Sequence, residues 1–428
     1  MIHDIRHPIL RLGKTSVDIF PYWIGLLIAG LIFGLTGAFI VLRDGLQVTG
    51  LSNSVPWGLW ISIDLSSIAM GGSAFVFGVI VYILRIKRFE AIGKLAVLLG
   101  FLGYSTAGMV LLFDLGQPFR FWHPIVFWQP HSLLWEVTMC VVLYLSVLAA
   151  EILPVILEHP FFKNHPLLAR YKILGSLMGR VHALSNWLHK AGPVLAVAGL
   201  TLSLLHQASL GATYSVLAGR GIWFNQSAPV QFVFSAMSGG VSLLFIASVF
   251  IFRVMRPGTV GDSALYDVAQ LAGGITLLLT YLRVWDWAVT NYYSFDREIF
   301  LQTQMLDTIA PYSLTFWLGQ AVLPIIAGSI LLAAKRVRNF RYLMAAAVVP
   351  ILAAIITRWN YNFAGLIASI SYDPFTPNII LNSYTPTWVE FAVATMVLCY
   401  WLLAFSLAAR YLPFRAGDDR HGPDSAEI

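Results

Sequence analysis

Two side chains in this sequence would be costly to bury without a purpose: Glu136, in "SLLWEVTM", and His206, in "LSLLHQASLGATY". An ionisable group at mid-membrane costs at least about 2.5–3.5 kcal/mol, so each is a functional candidate. Asp64, Asp114, Arg283, Asp286, Arg358 and Glu390 join them, all toward one end of the apolar runs that carry them. Glu151 lies toward the opposite end. Each also has a plainer role open to it. Arg283 and Asp286, three residues apart, can pair on one helix face, Asp114 can cap a helix end, and Glu390 can be a first-turn carboxylate favoured by the helix dipole.

Carboxylates, a histidine, an arginine and aromatics at one shallow level suit quinone chemistry. A quinone head group sits near the bilayer surface, its tail needs an apolar slot, and its two oxygens exchange protons with each redox step. Histidine and carboxylates can pass those protons. Glu136, His206, Asp114 and Asp64 form the expected proton-handling set. Haem ligated by two histidines is disfavoured, because His206 is almost alone within the spans. Cys140 and Cys399 are far apart in sequence, which excludes a self-contained iron–sulfur or structural zinc site. Walker and dinucleotide glycine motifs are absent.

The elements that must position these groups are membrane helices. The 428 residues are 58% hydrophobic and 11% charged, against about 25% charged in a soluble domain. Apolar runs predict ten spans: 21–43, 57–84, 92–114, 131–157, 191–211, 229–254, 266–290, 312–334, 341–357 and 387–409. Only helices or closed barrels satisfy their backbone in lipid, and continuous runs of about 20 residues indicate helices. Most of the 27 Lys and Arg residues cluster at the N-terminus, in every second connection and in the tail. By the positive-inside rule both termini are cytoplasmic, and the basic excess reports topology rather than nucleic-acid binding. The first apolar run is full length and lacks a following small-residue cleavage site, so no cleavable signal peptide is expected.

The expected organisation is an all-α integral membrane protein. A cytoplasmic N-terminus (1–20) precedes a first four-helix bundle (21–157), and a connector (158–190) leads to a second four-helix bundle (191–334). Two further helices (335–410) and a disordered cytoplasmic tail (411–428) complete the chain. The connector contains "LLARYKILGSLMGRVHALSNWLHK", which suits an amphipathic surface helix. "AMGGSAF" (69–75) echoes "AMSGGVS" (236–242), and "HSLLWE" echoes "YSLTFW", four helices apart, as a parallel repeat would produce. Small residues in such runs let helices pack closely. The long, aromatic-rich outer connections suggest that partners dock on that side. "FDLGQPFRFWHPIVFWQPHSLLWE", residues 113–136, is the outer crossover between spans three and four, placing Asp114 and Glu136 at similar levels.

"VPWGLWISIDL" (55–65), "FDLGQPFRFW" (113–122), "HSLLWE" (131–136), "LLHQASLGATY" (204–214) and "PTWVEF" (386–391) resemble, in order, motifs of the NrfD/PsrC family. The likeness is greatest to its ten-helix branch, which includes HybB and DsrP. The resemblance covers nearly the whole chain. It implies a menaquinone or ubiquinone site on the outer side of a bacterial or archaeal cytoplasmic membrane, with no haem or iron–sulfur cluster in this chain. Beside it would dock a ferredoxin-like iron–sulfur subunit, relaying electrons to or from a multihaem cytochrome or periplasmic catalytic subunit. The matching positions are Pro56, Trp57, Gly58, Asp64, Asp114, Gly116, Arg120, Trp122, Ser132, Glu136, His206, Gln207, Arg283, Arg358, Trp388 and Glu390.

Quinone contacts are expected from Arg120, Trp122, His123, His131, Gln207, Trp57, Trp388 and Glu390, the two loop histidines lying in a looser part of the match. Arg283, Asp286, Arg358 and Glu151 are the candidates for a proton path across the membrane. Two other classes remain open. A secondary transporter would share the ten spans and the repeat, but would place its polar site near the midplane. A purely structural anchor, holding an electron-transfer module to the membrane, is the other.

Overall fold

The computed structural model describes residues 9–12, 15–159, 172–217, 220, 223–293, 304, 307–373 and 376–414. Ten helices in it are long and apolar enough to cross a membrane. They are α1 (Phe20–Val48), α2 (Leu59–Ile83), α3 (Lys87–Asp114), α4 (Leu133–Leu157) and α5 (Gly192–Ser215), then α6 (Ala228–Met255), α7 (Asp262–Tyr292), α8 (Tyr312–Leu332), α9 (Phe340–Ile367) and α10 (Trp388–Tyr411). The chain is therefore a multi-pass, all-α integral membrane protein. Two short antiparallel hairpins, Ile9–Leu12 with Thr15–Asp18 and Ala368–Asp373 with Thr376–Leu381, flank the bundle. Lys172–Lys190 is helical, within the expected connector, and packs against α4. Residues 160–171 of the connector and 415–428 of the tail lie outside the described residues.

Local chemistry starts several of these helices. Ser132 caps α4 by accepting a hydrogen bond from the Trp135 N–H, and Asn339 caps α9 through the Arg341 N–H. At α10, Thr387 and Glu390 form a reciprocal capping box.

The expected end of span nine is corrected. Arg358 and Asn360 do not leave the membrane helix at 357, because α9 continues to Ile367. Arg358 and Asn362, one turn apart, are both fully buried. A hydropathy reading stops the span at this polar run, whereas tertiary packing turns its inward face into the core. Span two starts at Leu59, leaving Trp57 and Gly58 outside the helix.

The packing is interleaved along the chain. α1 runs along α10, their contact filled by Ala38, Val41, Val389, Val393 and Met396. α6 lies centrally, against α2, α5, α7 and α9. The two echoed small-residue runs meet there. A Cβ on Gly72 would sit 2.2 Å from the Ala236 carbonyl oxygen, and one on Gly240 would sit 2.6 Å from the Ser73 nitrogen. Only glycine allows this backbone approach, the device by which helices associate where lipid supplies no hydrophobic drive. α2 and α6 also share an irregularity, each ending in a π-helical stretch, Val79–Ile83 and Val249–Met255. At the basic end, Asp267 on α7 pairs with Arg88 at 2.9 Å and Lys335 at 2.6 Å, joining the start of α3 to the α8–α9 connection.

Candidate functional site

The site is built where α2, α5, α6 and α9 converge. Arg358 is 0% exposed and lies flat on Phe232, its guanidinium carbon 3.7 Å from the ring centroid. Its Nη2 donates to Gln207 Oε1 at 2.9 Å, the Phe232 carbonyl at 2.7 Å and Ser235 Oγ at 3.1 Å. Gln207 Nε2 in turn donates to the Ile68 carbonyl on α2 at 3.2 Å. One arginine thus ties four helices together, while its Nε and Nη1 have no hydrogen-bond partner among the described residues. No carboxylate lies within ion-pair distance of it among the described residues. The positive charge is spread over an aromatic face and neutral oxygens.

His206 lies beside Gln207 on α5 and is also 0% exposed. Its ring is 5.4 Å from the Tyr104 ring, which meets Tyr144 edge-on at 4.6 Å. Neither ring nitrogen has a hydrogen-bond partner among the described residues. Ser209, one turn further along α5, donates to Glu136 Oε1 at 2.6 Å, so Glu136 on α4 and His206 flank the same helix turn. Asp64 on α2 is buried. One oxygen of Asp64 and one of Asp114 are buried without a partner. Such atoms are rare in folded proteins and mark places where water or a ligand completes the hydrogen bonding.

Glu390 is different, because its carboxylate is fully engaged. It accepts from the Gly50 N–H at 2.7 Å and the Thr387 N–H at 2.9 Å, and Tyr384 donates its phenol to it. Tyr384 also accepts from the Leu59 N–H at 2.8 Å. Burial, and then the bond to Glu390, push the Tyr384 phenol well above its ordinary value near 10. This group locks the start of α10 to the start of α2.

Arg283 and Asp286 do not pair. Arg283 donates to Thr357 Oγ1, the neighbour of Arg358, and Thr357 donates to Gln320 on α8 at 3.0 Å. Asp286 instead accepts from Asn225 at 2.8 Å, Ser227 at 2.7 Å and Gln231 at 3.1 Å, fastening the α5–α6 connection to α7. A step of three residues turns the two side chains about 60° apart at 3.6 residues per turn. Here each finds its own neighbour.

The crossover residues are not drawn into this interior. Arg120 is exposed, Trp122 is 43% exposed and packs edge-on to His123 at 4.3 Å, and His131 is exposed. Trp388, 57% exposed, faces outward from α10. Trp57 is half-buried, stacking on Trp223 at 5.8 Å and meeting Tyr214 edge-on at the same distance. Glu151 is half-buried on α4, two turns beyond Tyr144.

Several members of the site went unread in the sequence. Asn362 reaches the Trp57 carbonyl at 3.2 Å and Ser62 Oγ at 3.1 Å, holding α9 to the entry of α2. The Arg358–Asn362 spacing of four was the available signal. Tyr104, Thr357 and Gln320 look like ordinary span residues, and only their neighbours give them a role.

The family model for NrfD, polysulphide reductase, matches residues 47–368. The chain is 32% identical over 412 residues to the integral membrane subunit of a menaquinone reductase from Nitratidesulfovibrio vulgaris, covering 94% of this chain and 93% of that protein. It is 25% identical to a selenate reductase subunit of Mesobacillus selenatarsenatis, over 93% of this chain and 96% of that one. It is 23% identical to a probable Ni/Fe-hydrogenase 2 b-type cytochrome subunit of Escherichia coli, over 86% and 85% of the two chains. With the family model matching about three quarters of its length, this ten-helix chain belongs to the NrfD polysulphide reductase family.

Proposed function

We propose that this chain is the quinone-interacting membrane subunit of a multi-subunit respiratory oxidoreductase. The observation that carries the reading is a group of buried polar atoms with no hydrogen-bond partner among the described residues: both nitrogens of His206 with one oxygen each of Asp64 and Asp114. A quinone head group offers two carbonyl oxygens, or two hydroxyls when reduced, and these atoms suit such a ligand. When bound, the quinone supplies two-electron, two-proton redox chemistry. The similarity to a menaquinone reductase subunit favours menaquinone.

In this reading His206 and Asp64 hold or release protons at the head-group site, with Glu136 as the next acceptor, its oxygen fixed by Ser209. Arg358 is the fixed positive charge that favours an electron-rich head group, and Gln207 orients it. Glu390 and Tyr384 are structural, keeping α10 and α2 in register around Asp114. The exposed crossover, with Arg120, Trp122, His123 and His131, is the surface for an outer-side iron–sulfur subunit, itself linked to a cytochrome or catalytic subunit. The membrane is a bacterial or archaeal cytoplasmic membrane, with both termini inside. Glu151, Arg283 and Arg358 remain candidates for a proton path, and Asp286 is reassigned to holding a connection.

The test is His206→Phe in the complete complex. The partner proteins should still co-purify while quinone-linked turnover falls at least about a hundredfold, the usual scale for losing a positioned acid–base group. Undiminished turnover would remove His206 from the site, and retained assembly separates that result from misfolding.

A further inference from the structure

A cavity of about 410 Å³ opens between α7 and α8 at the basic end of the bundle, away from the quinone site. It is lined by Gln270, Ser329, Leu332, Ala333, Lys335 and Arg336. Gln270 Nε2 donates to the Leu332 carbonyl at 2.9 Å, which satisfies one carbonyl at the end of α8 and sets the side chain at the mouth. Around this mouth the charges do not balance. Arg88 and Lys335 share the single carboxylate of Asp267. Arg336 is exposed and forms no salt bridge among the described residues. Of these three cations, Lys335 and Arg336 line the cavity itself.

The lining residues Ser329 and Leu332 belong to a length of α8 that also carries exposed apolar side chains. Ile325, Ile326 and Leu332 are 48%, 52% and 45% exposed, and with Ser329 they occupy one face of α8 at helical spacing. On α7, Gly274, one turn from Gln270, has nothing within 4 Å of where its Cβ would stand, which leaves a notch. A basic, hydrogen-bonding mouth above a lipid-facing groove matches a phosphorylated head group with acyl chains below it.

We propose that this cavity binds the phosphate of an anionic phospholipid, with Arg336 and Lys335 on the phosphate, Gln270 beside it, and an acyl chain along Ile325, Ile326 and Leu332. The same phosphate chemistry could come from free inorganic phosphate. The apolar groove argues for the lipid, because a soluble anion would leave it unused. The lipid site stands independently of the quinone assignment.

The test uses the full-length chain, delipidated in detergent and titrated separately with phosphatidylglycerol, phosphatidylcholine or sodium phosphate, with adducts counted by native mass spectrometry. Phosphatidylglycerol should bind at least several-fold more tightly than phosphatidylcholine. Its affinity should fall about fivefold for each basic residue removed in Arg336→Gln and Lys335→Gln. Arg341→Gln, on the same end of the bundle but outside the cavity lining, should leave it unchanged. Should Lys335→Gln loosen the fold through its lost bond to Asp267, Arg336→Gln carries the test alone. Equal binding of phosphatidylcholine, an unaffected Arg336→Gln variant, or the same loss in Arg341→Gln would overturn the proposal. Sodium phosphate displacing the lipid at comparable concentration would assign the site to the free anion instead.

Discussion

Ser209 on α5 donates its hydroxyl to Glu136 on α4 at 2.6 Å, so the acid expected to act is held by the helix that carries His206. The bond separates two roles of Glu136. Glu136→Gln keeps an acceptor for Ser209 but cannot exchange a proton, and quinone-linked turnover of the assembled complex should fall about 10²–10⁴-fold. Ser209→Ala leaves the proton but frees the carboxylate, and should cost only about tenfold, in line with one hydrogen bond to a charged group. Equal losses in the two variants, measured by quinol-dependent kinetics, would mean that Glu136 acts only by holding the helices.

Arg358 is joined to α5 and α6 through three donated bonds and a ring face, and to α2 only through Gln207. Arg358→Lys keeps the charge but loses the planar stack on Phe232 and the forked donors. Arg358→Gln loses the charge as well and leaves oxygens on α5 and α6 unsatisfied. Thermal unfolding in detergent should show both destabilised, Arg358→Gln by about 2–4 kcal/mol, since each buried group left unpaired costs about 1–3 kcal/mol. A stable Arg358→Gln variant that has lost turnover would make the arginine purely functional.

Gly365 is the floor under Trp223, whose indole nitrogen would lie 1.7 Å from a Cβ placed there and which donates to the Tyr361 carbonyl at 2.6 Å. Gly365→Ala should displace Trp223 and, with it, the stack on Trp57. Overpacking of this kind costs about 1–3 kcal/mol. Tryptophan fluorescence should shift toward the exposed form, and Gly365→Val should be worse. Unchanged fluorescence and melting would show that the indole can be accommodated elsewhere.

Tyr384 gives a pH dependence with a definite sign. Its phenol is pushed up in the folded protein by burial and by the bond to Glu390. The folded state therefore holds this proton where the unfolded chain would release it. The stabilisation is fully present below the ordinary phenol value near 10 and is lost as pH rises from there toward the folded value. Tyr384→Phe should melt lower than the parent at pH 8, and the gap should narrow as pH rises above 10. A constant gap across that range would exclude the coupling.

The sequence by itself determined the number of spans, their order and their approximate ends, because a bilayer demands continuous apolar runs and penalises every exception. The same penalty made Asp64, Glu136, His206 and Arg283 visible as residues needing partners, and each is buried or hydrogen-bonded between helices. Sequence did not identify the partners. Arg283 and Asp286 satisfied a spacing rule for pairing, yet each turned to a neighbour on another helix, since spacing describes one helix and burial depends on several. Arg358 looked like the start of a loop until α6 covered it with Phe232 and Ser235. Glu390 could be read as a quinone contact or as a first-turn carboxylate. In the packed bundle Gly50, Thr387 and Tyr384 close around its carboxylate, while the nitrogens of His206 have no partner among the described residues. Which polar groups the protein itself satisfies is a property of side chains that meet across helices, and only the packed bundle brings them together.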